Sequence, residues 1–255
     1  MLCYAPFTAT LDETRMTSPK NFCLLTFGRA GSTALINLLQ DYPDIMVPNK
    51  QIDCQDNELV HHDRARTYAR AYERLCACRI NSINELIDCF YTHNTQSPYC
   101  GFKSMPDRHP DFRQFTSRKD IRFITLVRAD IPSTVSSFML AMAHGTWRRD
   151  GGTPDQRWTF TPDQRDRVLG NLIYILKSLS LLRNVPDAIN LSYEELCQAD
   201  FNNTSLNDFF APEIRLANPR SPTSGEKYVT NWDEFSGFIQ EACLRIQKKA
   251  QTNAV

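Results

Sequence analysis

Residues 22 to 38 read FCLLTFGRAGSTALINL. An apolar run ends in Gly28-Arg29-Ala30-Gly31, two hydroxyls follow at Ser32 and Thr33, and apolar residues then return at helical spacing. A buried strand that passes through a glycine turn into a helix start exposes backbone N–H groups with no intrahelical acceptor, at the positive end of the helix dipole. Such a turn cradles an anion. It also restricts the fold, because a strand handed directly to a helix belongs to a sheet built with helical crossovers.

The rest of the chain supplies more of the same units. Strands are expected over Phe22 to Phe27, Tyr99 to Met105, Ile121 to Val127 and, shorter, Ala188 to Leu191, where apolar and β-branched residues cluster between turn signals. Helical periodicity covers Gly31 to Gln40, His62 to Cys78, Ile83 to Tyr91, Pro132 to Ala143, Val168 to Leu182 and Asp233 to Lys249. Thr161 and Pro162 form a start signal for the fifth of these helices. Residues 43 to 60, punctuated by two prolines, read as a loop with room for one short strand. Alternating strands and helices pair in parallel through right-handed crossovers, which gives an α/β, three-layer αβα domain around a central, mostly parallel sheet. The expected organisation is an irregular arm over 1–20 and a single domain over 21–250.

Lysine plus arginine and aspartate plus glutamate both number 29. A balanced charge argues against a general nucleic-acid-binding surface and leaves basic pockets to be argued residue by residue. No apolar run reaches the ~18 residues of a membrane span. The first residues have no basic segment followed by an apolar core, so no signal peptide is expected. Nine cysteines, among them a Cys76-Ala77-Cys78 pair without a second pair at zinc spacing, do not form a secreted disulfide framework. Free thiols in a reducing, cytoplasmic setting are the expectation.

The turn at Gly28 to Thr33 lacks the lysine and the length of G-x-x-x-x-G-K-[ST], so it is not built for a triphosphate and its magnesium. A dinucleotide G-x-G-x-x-G is absent as well. A second element, LVRADIPSTVSSF, places Arg128 at a strand end and Ser136 eight residues on, in the next helix. An arginine fork with a helix hydroxyl suits a second phosphate. Arg29, Lys103 and Arg128 all fall at or just past expected strand ends, which is where ligands bind in parallel sheets.

This combination resembles the sulfotransferases that use 3′-phosphoadenosine 5′-phosphosulfate. Their first signature, R-x-G-[ST]-[ST] between a strand and a helix, matches Arg29-Ala30-Gly31-Ser32-Thr33, and their arginine and serine eight apart match Arg128 and Ser136. The order of the two elements, the Tyr193-Glu194-Glu195-Leu196 segment and a late basic loop extend the resemblance over most of residues 21 to 245. The run SSFMLAMAHGTWRR looks most like the bacterial trehalose sulfotransferases and their relatives. The resemblance implies a P-loop NTPase-like fold and a sulfuryl transfer to a hydroxyl or amine of a small-molecule or saccharide acceptor. It implies no metal, and no nucleic-acid or membrane partner; a homo-oligomer is left open.

The resemblance also implies roles. Arg29, Ala30, Gly31, Ser32 and Thr33 would hold the 5′-phosphate, Arg128 and Ser136 the 3′-phosphate, Lys103 the sulfuryl oxygens, and Arg220 and Lys227 of the late loop the nucleotide. For the acceptor's general base the family pattern P-D-I-x-x-x-G-E begins here at Pro43-Asp44-Ile45 but continues Met46-Val47-Pro48-Asn49-Lys50, without the glutamate. The histidine that other relatives carry two residues after the lysine is Met105 here. Asp53, Asp56, Glu58, His61 and His62 lie nearby, and Asp53 is the first choice by proximity. Tyr68, Tyr72, Trp147 and Trp158 are candidate stacking surfaces for an acceptor. Two other readings are an ATP-dependent phosphotransferase and a nucleotide-binding protein that has lost the base.

Overall fold

The computed structural model describes residues 20–54, 57–61, 64–144, 157–198, 201–210 and 225–252. The expected arm, together with Asp56, His62, Trp147 and Arg220, lies outside them. Among the described residues five parallel strands form one sheet in the order β2-β3-β1-β4-β5: β1 is Lys20–Thr26, β2 Ile45–Met46, β3 Tyr99–Ser104, β4 Arg122–Val127 and β5 Ile189–Ser192.

The period-2 alternation of the strands divides the core in two. Phe22 and Leu24 of β1, with Ile124 and Leu126 of β4, face α1 (Ser32–Gln40), α7 (Tyr193–Leu196) and α8 (Thr204–Phe209). Cys23 and Leu25, with Phe102 and Phe123, share the opposite core with α2 (Ala65–Cys76), α3 (Ile83–His93), α4 (Phe112–Thr116), α5 (Ile131–His144), α6 (Arg165–Arg183) and α9 (Trp232–Thr252). Helices therefore cover both faces, and the expected three-layer α/β architecture is present. Tyr68 and Tyr72 are spent on this core, 2% and 0% exposed, so neither is a stacking surface for an acceptor. Trp158 packs edge-on against Phe160 and Phe235.

Local signals act as anticipated. Thr161 and Gln164 make a capping box over a 3-10 turn, Pro162–Gln164, that runs into α6. Ser192 and Glu195 make another at the start of α7. The short helices α4 and α8 were not expected; Asp111 and Asn203 cap them by accepting backbone N–H bonds from Gln114 and Leu206. The expectation of free thiols holds for Cys23, Cys54, Cys78, Cys100, Cys197 and Cys243 but not for Cys76 and Cys89, which are bonded as a disulfide. The pairing depends on α2 and α3 lying side by side, which residue spacing does not reveal. Among the described residues no helix is long and apolar enough to cross a membrane.

The connections decide where a ligand can enter. After β1 the chain turns to α1 on one face, whereas after β4 it turns to α5 on the other. Since β1 and β4 are neighbours, the loops at their carboxyl ends depart in opposite directions, the topological switch point at which a parallel sheet is expected to hold its ligand crevice.

Candidate functional site

Arg29 and Arg128 stand on the two lips of that crevice, one following β1 and the other following β4. The β1 lip is a curled turn: Arg29 has φ 67° and Gly31 φ 84°. Two left-handed residues in so short a stretch bend the backbone into a concavity of N–H groups, which favours an anion. Gly31 is the N-cap of α1, without a side-chain cap, and no acidic residue lies in the first turn. Ser32 is buried and Thr33 half-buried at the helix start. A Cβ at Gly28 would meet Phe138 Cζ at 2.7 Å.

Two contacts tie the lips together. Arg29 Nε donates to Ser137 Oγ at 2.9 Å, across 108 residues of sequence. The Tyr193 ring lies against Gly31, where a Cβ would come within 2.3 Å of Cδ2, and the Arg128 guanidinium stands 5.1 Å from the centre of the same ring. One aromatic ring thus touches both lips. Arg128 is itself buried, 6% exposed. Glu194 completes the β4 lip, its carboxylate accepting the N–H groups of Ala129 and Asp130 at 3.1–3.2 Å. Asp130 then caps α5 through the N–H of Ser133 at 3.0 Å.

Ser136 is fully buried in α5 and donates its hydroxyl to the Ser133 carbonyl at 2.9 Å. It is Ser137, one position later, that meets Arg29. Lys227 is exposed on a 3-10 turn, Gly225–Lys227, that packs on α5, and its carbonyl accepts from Arg157 Nε at 3.0 Å.

The carboxyl end of β3 carries a charged pair inside the protein. Lys103 Nζ lies 3.1 Å from Glu58 Oε1, with the two side chains 2% and 6% exposed. Glu58 reaches this place because it bridges Lys103 as an extra parallel strand position. The loop leading to it is braced: the Asn57 side chain accepts from Asn49 N at 2.8 Å and donates to Gln40 at 2.9 Å. Asn57 has φ 57°, a left-handed position that Asn tolerates better than most residues. Asn57-Glu58 thus places a left-handed residue directly before the glutamate, eight positions beyond Lys50. Asp53 is exposed on the same loop.

Next to the pair, Ser104 Oγ and His109 Nε2 share a buried hydrogen bond of 2.8 Å, and the imidazole stacks on Phe115 at 3.8 Å between ring centres. Burial pushes His109 down to about 4, so the ring is neutral at ordinary pH. Tyr174 of α6 reaches the turn at Gly28, and burial first and the Asp107 charge second push its phenol up to about 12. Met105 Sδ lies 3.8 Å from that hydroxyl. Sequence reasoning missed Glu194, Ser137, Tyr174 and the placement of Tyr193, because nothing local in their segments reports a partner so distant along the chain.

The chain matches no protein-family model and no curated protein.

Proposed function

We propose that the protein is a sulfotransferase that takes a sulfuryl group from 3′-phosphoadenosine 5′-phosphosulfate to a hydroxyl or amine of a small-molecule or saccharide acceptor. What supports this reading above all is that the two signature elements flank one crevice and are joined there by the Arg29–Ser137 bond and the Tyr193 ring. A single doubly phosphorylated adenosine then spans the β1 and β4 lips. Amides of Gly31 to Thr33 and the Arg29 guanidinium take the 5′-phosphate, and Arg128 the 3′-phosphate.

In the transfer, the acceptor oxygen forms a bond to sulfur in line with the bridging oxygen of the donor. The S–O bond to the 5′-phosphate breaks, and its electron pair leaves on the phosphate, whose charge the cradle stabilises. The acceptor must lose a proton. Glu58 is the carboxylate placed to receive it, in preference to the exposed Asp53, once Lys103 turns from Glu58 to the sulfuryl oxygens. Positioning and charge compensation carry most of such a reaction.

Calorimetry tests the reading. The protein should bind adenosine 3′,5′-bisphosphate more tightly than adenosine 5′-phosphate or ATP–magnesium. Arg128→Ala should weaken the bisphosphate roughly 10- to 100-fold, the worth of a charged hydrogen bond, and leave adenosine 5′-phosphate nearly unchanged. Equal losses for both ligands would remove Arg128 from the 3′-phosphate, and preference for ATP–magnesium would sink the donor assignment.

A further inference from the structure

Away from the crevice, the end of α2 gathers three sulfurs. Cys76 is the last residue of α2, and Ala77 follows in the left-handed conformation, φ 49° and ψ 37°. An alanine there is uncommon and costs energy, yet the turn carries Cys78 back toward α3, where Cys89 stands. Cys78 Sγ is 4.0 Å from Cys89 Sγ, and the three sulfurs all lie within 4.8 Å of one another. Cys78 is exposed and the other two are half-buried. Among the described residues no other group of three or more cysteine, histidine or acidic side chains converges so closely.

The shape of the cluster distinguishes two uses. Thiol–disulfide exchange passes through a linear arrangement of three sulfurs. With an S–S bond of about 2.05 Å, an in-line attacker 4 Å away would leave the outer sulfurs about 6 Å apart. No pair here is separated by more than 4.8 Å, so the cluster is a triangle. Two thiolates on one zinc, each about 2.3 Å from the metal, stand about 3.8–4.0 Å apart for tetrahedral to trigonal angles. The Cys78–Cys89 separation of 4.0 Å has that value.

We propose that the reduced triad Cys76, Cys78 and Cys89 binds one thiophilic d10 cation, Zn2+ or Cu+, through three thiolates, and that closing the Cys76–Cys89 disulfide releases it. Thiolates select these ions over hard cations. The exposed side at Cys78 leaves a fourth position to water for zinc, whereas Cu+ needs none. The steps balance. A small dithiol supplies two electrons and two protons to the Cys76–Cys89 disulfide and is itself oxidised to a disulfide; the metal then displaces three thiol protons, one from each cysteine; release runs in reverse, a small disulfide taking two electrons from the Cys76 and Cys89 thiolates and two protons from water to leave as a dithiol, while Cys78 regains the third proton and the cation departs.

The test uses the full chain, reduced with a dithiol and freed of it under anaerobic conditions. Zn2+ and Cu+ are titrated separately against a competing chromophoric chelator, and Cd2+ serves as a probe through its thiolate charge-transfer absorption. One equivalent should bind per chain. Cys78→Ser, a change at an exposed position that leaves the disulfide partners intact, should weaken it at least tenfold, as should Cys89→Ser, while Cys243→Ser should not. Protein with the disulfide closed should bind none. Binding of either ion alone would name the cation. The proposal is overturned if the reduced chain holds no more metal than the Cys76/Cys78/Cys89→Ser triple variant, or if Cys78→Ser binds as well as the unaltered protein.

Discussion

Gly31→Ala puts one methyl group where the β1 turn meets the Tyr193 ring, and its cost can be worked out from two separate terms. The first is backbone: at φ 84° an L-residue bears the left-handed penalty of about 1–2 kcal/mol. The second is steric, since the new Cβ would stand 2.3 Å from Tyr193 Cδ2 and 2.6 Å from Cε2. The ring has little freedom to withdraw. It is 9% exposed, faces the Arg128 guanidinium at 5.1 Å, and belongs to a helix whose start is held by the Ser192–Glu195 capping box. Overpacking of this kind costs about 1–3 kcal/mol. The total, about 2–5 kcal/mol, corresponds to a loss of roughly 4–20 °C in melting temperature at 2–4 °C per kcal/mol for a chain of this size. Urea denaturation of four proteins closes the double-mutant cycle: unaltered, Gly31→Ala, Tyr193→Ala and both. In the Tyr193→Ala background the alanine should cost only the backbone term, giving a coupling of about 1–3 kcal/mol. An equal cost in both backgrounds would refute the contact between the cradle and Tyr193, and a cost under about 0.5 kcal/mol would refute the strained turn as well.

Glu58→Gln removes the carboxylate 3.1 Å from the buried Lys103 ammonium and should cost about 3–5 kcal/mol of stability. It should also lower transfer by roughly 10²–10⁴-fold at a fixed acceptor concentration. Glu58→Leu with Lys103→Met should restore the stability and leave transfer absent; recovery of transfer would show that the pair is only a brace. Asp53→Asn, on an exposed side chain, should change transfer less than twofold, and a loss comparable to that of Glu58→Gln would move the base to Asp53. His109 sits at about 4 in the folded chain against about 6.5 unfolded, so below pH 6.5 the unfolded state binds the extra proton. Stability contributed by the neutral ring is therefore complete above pH 6.5 and lost as pH falls toward 4, up to about 3 kcal/mol in all. Urea midpoints between pH 7 and 4.5 should fall more steeply for the unaltered protein than for His109→Gln; parallel slopes would contradict the burial of the imidazole.

Period and punctuation laid down the parts. The alternation of Phe22 and Leu24 with Cys23 and Leu25 states that β1 is covered on both faces, and Thr161 with Gln164 announces the start of α6. The strand–turn–helix at Gly28 to Thr33 and the spacing of Arg128 from the next helix were equally legible, because each depends on backbone dihedrals and hydrogen bonds among near neighbours. Which residues meet across the crevice was decided only by tertiary structure. Ser137 rather than Ser136 answers Arg29 because of the rotational setting of α5. Glu58 rather than Asp53 faces Lys103 because the loop pairs with the edge of β3. Tyr193 lies between Gly31 and Arg128 because β5 adds beside β4 and delivers α7 to the crevice. Local sequence sets dihedral preferences and which face is apolar; contacts made across 65 to 108 residues follow from strand order and helix packing, which are settled only when the whole core closes.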